Sequence, residues 1–254
     1  MIRFENVTKR LGRKVVLDEA NYTINKGETF VIVGSSGAGK SVSLKHMVRL
    51  LTPDTGKVWV GDDIVSEASG SELERIRSRF GVLFQGAALL NWLTAGENVA
   101  LPLHEHTDLD DDEIEKRARE KLAMVELEDA FDKYPADLSG GMRKRVGLAR
   151  AIVTNPEIIL YDEPTSGLDP VTSRTIDKLI DDLRKSLGVT SVVVTHDLHS
   201  ALAIATRIAV LNNGQMVEIS EPEKFIRSRN EFVRSFLEAQ YITKRGEWEE
   251  EESL

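Results

Sequence analysis

The chain has 254 residues, 41% hydrophobic and 30% charged, with a formal net charge of −9 and no cysteine. That length suits one large α/β domain or two small ones, and the acidic balance disfavours the concentrated basic surface that nucleic-acid phosphates require, so no nucleic-acid partner is expected. Without cysteine, disulfides, thiolate nucleophiles and Cys-based zinc sites are excluded. The N-terminus lacks a basic segment followed by an apolar stretch, and no run reaches the roughly 18 apolar residues of a spanning helix. Neither a signal peptide nor a membrane span is expected.

In chain order, Ile2-Arg3-Phe4-Glu5-Asn6-Val7 alternates apolar and polar residues like a half-buried strand. Val15-Val16-Leu17 and Tyr22-Thr23-Ile24 read as two more strands, and Asn25-Lys26-Gly27-Glu28 as a turn. The continuous apolar run Thr29-Phe30-Val31-Ile32-Val33 suits a strand covered on both faces. After a Gly/Ser-rich loop, Leu44, Met47, Val48 and Leu51 recur at helical spacing. Residues 53–85 read as turns, short strands and a helix over Glu72–Arg77, closing with a strand at Gly81-Val82-Leu83-Phe84. From Gly86 to Asn155 the pattern is mostly helical, with Asp110 and Ser139 placed to cap helices. Buried strands return at Ile158–Tyr161, Ser191–Thr195 and Arg207–Leu211, with an amphipathic helix through Ile176, Leu179, Ile180, Leu183 and Leu187 between the first two. Strands alternating with helices predict a parallel sheet with helices packed on it. The helical stretch reads as a block inserted into that core.

The chemistry begins at Gly34-Ser35-Ser36-Gly37-Ala38-Gly39-Lys40-Ser41, followed by Val42. Glycines let the backbone wrap a phosphate with its N–H groups inward, and the helix behind adds the positive end of its dipole. Lys40 supplies a point charge for the β- and γ-phosphates of ATP, and Ser41 a hydroxyl for Mg²⁺. Such a loop needs a carboxylate at the end of a nearby apolar strand. Ile158-Ile159-Leu160-Tyr161-Asp162-Glu163 provides Asp162 on the metal side and Glu163 as the general base that polarises water.

Leu138-Ser139-Gly140-Gly141-Met142 resembles the signature of ATP-binding-cassette (ABC) ATPases, whose usual form has Gln where Met142 stands. The family's order of motifs is matched along nearly the whole chain: phosphate loop, Gln85, signature, Asp162-Glu163, Ser166-Gly167-Leu168-Asp169 and His196. The resemblance implies a P-loop NTPase fold: a RecA-like α/β core, an N-terminal antiparallel β-subdomain and an inserted helical signature subdomain. It implies that Gln85 touches Mg²⁺ and the water, that Asp169 lies at a subunit interface, and that His196 contacts the γ-phosphate and positions Glu163. Ser139, Gly140 and Gly141 would face an ATP held by a second copy of the chain, in a head-to-tail homodimer. Read without the family, Gln85 is a polar strand end and His196 a neighbour of a helix cap.

The family usually stacks adenine on an aromatic residue after the first strand. Here Leu11, with Val16, takes that place, which predicts loose base selectivity. Ser139 to Val146 and Asn98-Val99-Ala100-Leu101-Pro102-Leu103 resemble the cassettes of Mla-type, Mce-associated lipid transporters. That resemblance implies a peripheral protein on the cytoplasmic face of the inner membrane. Its partners would be separate transmembrane permease subunits of MlaE-like type and an Mce-domain lipid-binding protein. The expected organisation is an ATP-binding domain over residues 1–239, with its helical part at about 86–156, and an acidic extension over 240–254 that frays or docks on the second subunit. Phe232, Phe236 and Leu237 suit an extra helix before it, and Arg143-Lys144-Arg145 reads as a charged helix face.

Overall fold

A computed structural model describes residues 1–240 and Ile242. Most of the acidic extension, including Trp248, lies outside the described residues.

Strand β1 (Ile2–Leu11) buries Ile2, Phe4 and Val7 on one face. The step from period two to three between Phe4 and Val7 is a bulge at Asn6, whose φ is 49°. Strand β2 is continuous from Lys14 to Ile24, where the sequence suggests two strands; Glu19 takes φ 45° at the irregularity that interrupts the pattern. Strand β3 (Thr29–Val33) is buried throughout, and helix α1 (Lys40–Met47) follows the Gly/Ser loop. That helix stops short of Leu51 because Arg49 turns left-handed (φ 51°), sending the N–H groups of Leu50 and Leu51 back to the Lys45 carbonyl. Strands β4 (Thr55–Val60) and β5 (Asp63–Ile64), helix α2 (Gly70–Arg77) and strand β6 (Phe80–Leu83) come next. β6 starts one residue earlier than the apolar run implies.

The helical block holds α3 (Ala95–His106), α4 (Asp111–Met124) and α5 (Gly140–Ile152). Thr94 and Glu97 form a reciprocal capping box at the start of α3. Asp110 caps α4 through the Glu113 N–H, and Ser139 caps α5 through the Met142 N–H, as the sequence predicts. Fully buried Asn98 donates to the carbonyls of Leu90, Leu93 and Thr94 and accepts from the Leu90 N–H, pinning the loop that leads into α3. The remainder comprises β7 (Ile158–Asp162), α6 (Pro170–Leu187), β8 (Thr190–Thr195), α7 (Leu198–Ile204), β9 (Arg207–Asn212), β10 (Gln215–Ser220), α8 (Pro222–Phe225) and α9 (Glu231–Ala239).

Two sheets result. One is antiparallel in the order β2-β1-β4-β5; the other runs β10-β9-β3-β8-β7-β6, parallel except for its β10 edge. The larger sheet is buried on both faces, and its strands divide their residues between two cores. Phe30, Ile32, Leu160, Val192 and Val194 pack with the antiparallel sheet and α1. Val31, Val33, Ile159, Tyr161 and Val193 pack with the helical block and α6. Successive side chains on a strand point to opposite faces, so a continuous apolar run serves both layers. Helix α9 buries Val233 and Leu237 in the second core, with Phe232 and Phe236 partly covered. Two such anchors contribute roughly 1.5–3 kcal/mol each and tie α9 to its own domain.

The Arg143-Lys144-Arg145 run is a charged helix face only in part, since Arg143 is exposed and Arg145 half-buried while Lys144 is neither. Arg143 donates to the Leu138 carbonyl, Arg145 to those of Val125 and Glu126, and Lys144 is buried at 5% exposure. The two arginines satisfy carbonyls at turns of the helical block.

Candidate functional site

The parallel register levels the strand ends. Val33 of β3 pairs with Thr195 of β8, Asp162 of β7 with Val194 of β8, and Tyr161 of β7 with Leu83 of β6. The chain leaves these strands through Gly34, Glu163, His196 and Phe84-Gln85, all on one edge of the sheet. Ligands of open α/β sheets collect at such carboxyl ends.

The phosphate loop passes between β2 and β9 with no room for side chains at two of its glycines. A Cβ on Gly39 would lie 2.2 Å from the Val16 carbonyl oxygen, and Gly39 holds φ +109°. A Cβ on Gly34 would lie 2.2 Å from the Leu211 carbonyl oxygen. Buried Lys40 donates to the carbonyls of Gly34 (2.9 Å) and Ser35 (3.2 Å), with its Nζ 3.7 Å from Glu163 Oε1. Lys14, which no sequence motif marks, donates to the Gly37 carbonyl at 3.0 Å.

Across the loop, Ser41 donates to Asp162 Oδ1 at 2.8 Å. This hydroxyl–carboxylate pair is a hard-oxygen donor set of the kind Mg²⁺ takes. Among the described residues no group of three or more His, Cys, Asp or Glu could hold a metal. A cation at Ser41 and Asp162 therefore needs phosphate and water oxygens to complete its shell, as Mg²⁺ in nucleotide sites does.

Glu163 sits at φ 49°, a left-handed conformation that costs a non-glycine residue about 1–3 kcal/mol and persists only where the surroundings impose it. Its N–H donates to the Val194 carbonyl. Its carboxylate lies 2.8 Å from His196 Nδ1, and the His196 N–H donates to the same oxygen. Gln85 donates to the Ser166 hydroxyl at 3.4 Å. Gln240 donates to the His196 carbonyl and accepts from the Leu198 N–H, bracketing the His196 turn from the end of α9.

These groups surround a cavity of about 640 Å³. Leu11 and Val16 give it an apolar wall; Lys40, Ser41 and Val42 with Ser36, Gly37 and Gly39 give the loop side; Gln85, Glu163 and His196 give the polar side. Gly34, Ser35 and Ala38 form the body of the loop and do not line the cavity. Nor do Ser139, Gly140, Gly141 and Asp169. They form a second cluster: a Cβ on Gly141 would lie 2.4 Å from Thr172 Cγ2, and the Thr172 hydroxyl donates to Asp169. Asp169 caps α6 through the N–H groups of Val171 and Thr172, and its hydrogen bonds with Thr172 hold its carboxyl below the usual carboxylate range.

Lys14, Lys144 and Gln240 carry no signal in the sequence. Each acts on main-chain carbonyls, and such contacts leave no motif.

The family model described as ABC transporter matches residues 17–166. The chain is 39% identical over 251 residues to the probable ribonucleotide transport ATP-binding protein mkl of Mycobacterium tuberculosis, covering 99% of this chain and 70% of that protein. It is 39% identical over 252 residues to the methionine import ATP-binding protein MetN 2 of Pseudomonas entomophila, covering 97% and 75%. Among solved structures, the dimeric post-hydrolysis state of the ATP-binding cassette MJ0796 with ADP and Pi superposes with a TM-score of 0.80 at 38% identity, covering 87% of this chain and 99% of that one. CbiO1 of Clostridium perfringens, part of an ABC transporter complex, superposes with a TM-score of 0.82 at 27% identity, covering 93% and 94%. The architecture is the ABC ATPase fold. Likeness of this extent across nearly the whole length leaves one conclusion: the chain belongs to the ABC transporter family, as an ATP-binding, ATP-hydrolysing subunit.

Proposed function

We propose that two copies of this chain pair head to tail and enclose two ATP molecules, each held by the phosphate loop of one copy and the Ser139–Gly141 segment of the other. The observation that carries this is the separation within one chain: the cavity holds the loop, Gln85, Glu163 and His196, while Ser139, Gly140, Gly141 and Asp169 stand apart from it. A two-fold pairing lets one patch complete its symmetry mate, and the similar MJ0796 cassette is a dimer bound to hydrolysis products, ADP and Pi.

Within each half-site, Lys40 turns from the Gly34 and Ser35 carbonyls to the β- and γ-phosphates. Leu11 and Val16 cover one face of the base. Ser41 and Asp162, with Gln85 nearby, hold Mg²⁺, which supplies charge neutralisation on the phosphates. Glu163 accepts the proton of the attacking water, and His196 fixes the Glu163 carboxylate and reaches the γ-phosphate.

ATP binding closes the pair and hydrolysis reopens it, working a separate permease from the cytoplasmic face of the inner membrane. No helix among the described residues is long and apolar enough to cross a membrane. Lipid cargo, with an MlaE-like permease and an Mce-domain protein, is the reading favoured by Ser139–Val146 and Asn98–Leu103. The names of the relatives favour a second reading, a small-solute importer, since they speak of ribonucleotide transport and methionine import. Purification of the tagged protein from membranes in mild detergent separates the two. Co-purification of a polytopic permease with an Mce-domain protein supports lipid transport. A permease with a soluble solute-binding protein supports the importer.

A further inference from the structure

Lys144 lies on α5, the helix that begins at the signature, and is 5% exposed. Its Nζ donates to the main-chain carbonyl of Glu163 at 3.0 Å and to the main-chain carbonyl of Gln85. Burying an ammonium is costly unless its hydrogen bonds are made. Here desolvation pushes the Lys144 pKa down, and the Glu163 and Asp162 carboxylates pull it partly back. The two acceptors are specific. They belong to the residues whose side chains flank the cavity on its polar side, and one of them, Glu163, holds a left-handed backbone with φ 49°. The Glu163 carbonyl also accepts from the Ser166 N–H at 3.2 Å, so Lys144 is its second donor and the one that joins it to Gln85 and to α5.

We infer that Lys144 is a positioning residue for ATP hydrolysis: by bonding the carbonyls of Glu163 and Gln85 together, it holds the Glu163 backbone so that its carboxylate faces the phosphate loop. It also ties both residues to the helix capped by Ser139, so displacement of α5 is transmitted to the Glu163 main chain. Arg143 and Arg145, on either side, bond to carbonyls of the helical block and not of the cavity. The inference rests on the proposed role of Glu163 as the base.

The test is a double-mutant cycle on the purified full chain with ATP and Mg²⁺. Lys144→Met keeps most of the side-chain volume and removes the donors; Lys144→Gln keeps an N–H donor without the charge. Lys144→Met is expected to lower kcat by about tenfold or more while KM for ATP stays within about threefold. Lys144→Gln is expected to recover most of that loss. In the Glu163→Gln background, Lys144→Met should change the residual rate by less than about twofold, because a residue acting through Glu163 has nothing left to position.

Equal fold-losses in both backgrounds would overturn the inference, and so would a kcat for Lys144→Met within about twofold of wild type. If Lys144→Met does not fold, Lys144→Gln decides: a loss of more than about tenfold contradicts the inference, and a smaller loss that vanishes in the Glu163→Gln background supports it. Failure of the underlying reading looks different, since Glu163→Gln alone would then turn over ATP at nearly the wild-type rate.

Discussion

His196 Nδ1 lies 2.8 Å from Glu163 Oε2, while Glu163 Oε1 faces Lys40 Nζ at 3.7 Å. The two oxygens of one carboxylate are thus divided between a strand-end imidazole and the phosphate-loop lysine. If Lys40 turns to phosphate as proposed, His196 remains to fix the carboxylate. His196→Ala is expected to lower kcat by about 10–100-fold while KM for ATP changes less, as loss of an orienting group for a general base should. Steady-state kinetics checks this, and a rise in KM alone would contradict it.

The second prediction concerns Gly39. A methyl group there would meet the Val16 carbonyl oxygen at 2.2 Å on a backbone held at φ +109°. Gly39→Ala must therefore shift the loop, and even the conformational strain amounts to about 1–3 kcal/mol. ATP affinity should fall at least about tenfold, measured by titration of a fluorescent ATP analogue. Wild-type affinity would show that the loop geometry does not govern binding.

How much of this is legible in the sequence depends on where the information lies. Gly34 to Ser41 are contiguous, and their spacing states the loop's chemistry by itself. The continuous apolar runs at 29–33, 158–161 and 191–195 announce strands buried on both faces. The meeting of Glu163 with His196 is expected only through family resemblance. Physically it follows from the strand register that pairs Asp162 with Val194, and no local pattern encodes that register. Strand β10 escapes a reading of the sequence because its residues are half-buried or exposed on an edge, so its hydrophobic signal is weak. Lys144 reads wrongly as solvated because a lysine between two arginines looks the same in sequence whether it meets water or a carbonyl.

Leu11 is 45% exposed and Val16 is 7% exposed, and they form the apolar wall of the cavity. An aliphatic wall covers a base without stacking on it. GTP is accordingly expected to compete with ATP within about tenfold, whereas Leu11→Trp should tighten ATP binding by about fivefold or more, given roughly 1–3 kcal/mol for a base on an aromatic ring. Competition titrations with both nucleotides check this. Strong ATP preference in the wild type would contradict it.

Asp177 on α6 is 3% exposed; its Oδ2 accepts from Ser200 and pairs with Arg174. Burial raises its carboxyl above the ordinary value, with the nearby Asp197 adding to the rise and the Ser200 and Arg174 contacts opposing it. Between the unfolded value and the raised folded one, the folded chain binds more protons. The contribution of Asp177 is therefore present at low pH and is lost as pH rises through the folded value. Asp177→Asn removes this dependence. Its stability relative to wild type should improve as pH rises from about 4 to 7 in paired thermal melts. A constant difference across that range would show that Asp177 does not titrate in it.

The most direct test of a site shared between two chains is light scattering of Glu163→Gln with and without ATP and Mg²⁺. With the base removed, turnover should fall by about 10²–10⁴-fold. Bound ATP should then hold two copies together, doubling the mass on ATP addition while ADP leaves it unchanged. A mass that stays at one chain under saturating ATP, or turnover close to wild type, would contradict the shared site and the role given to Glu163.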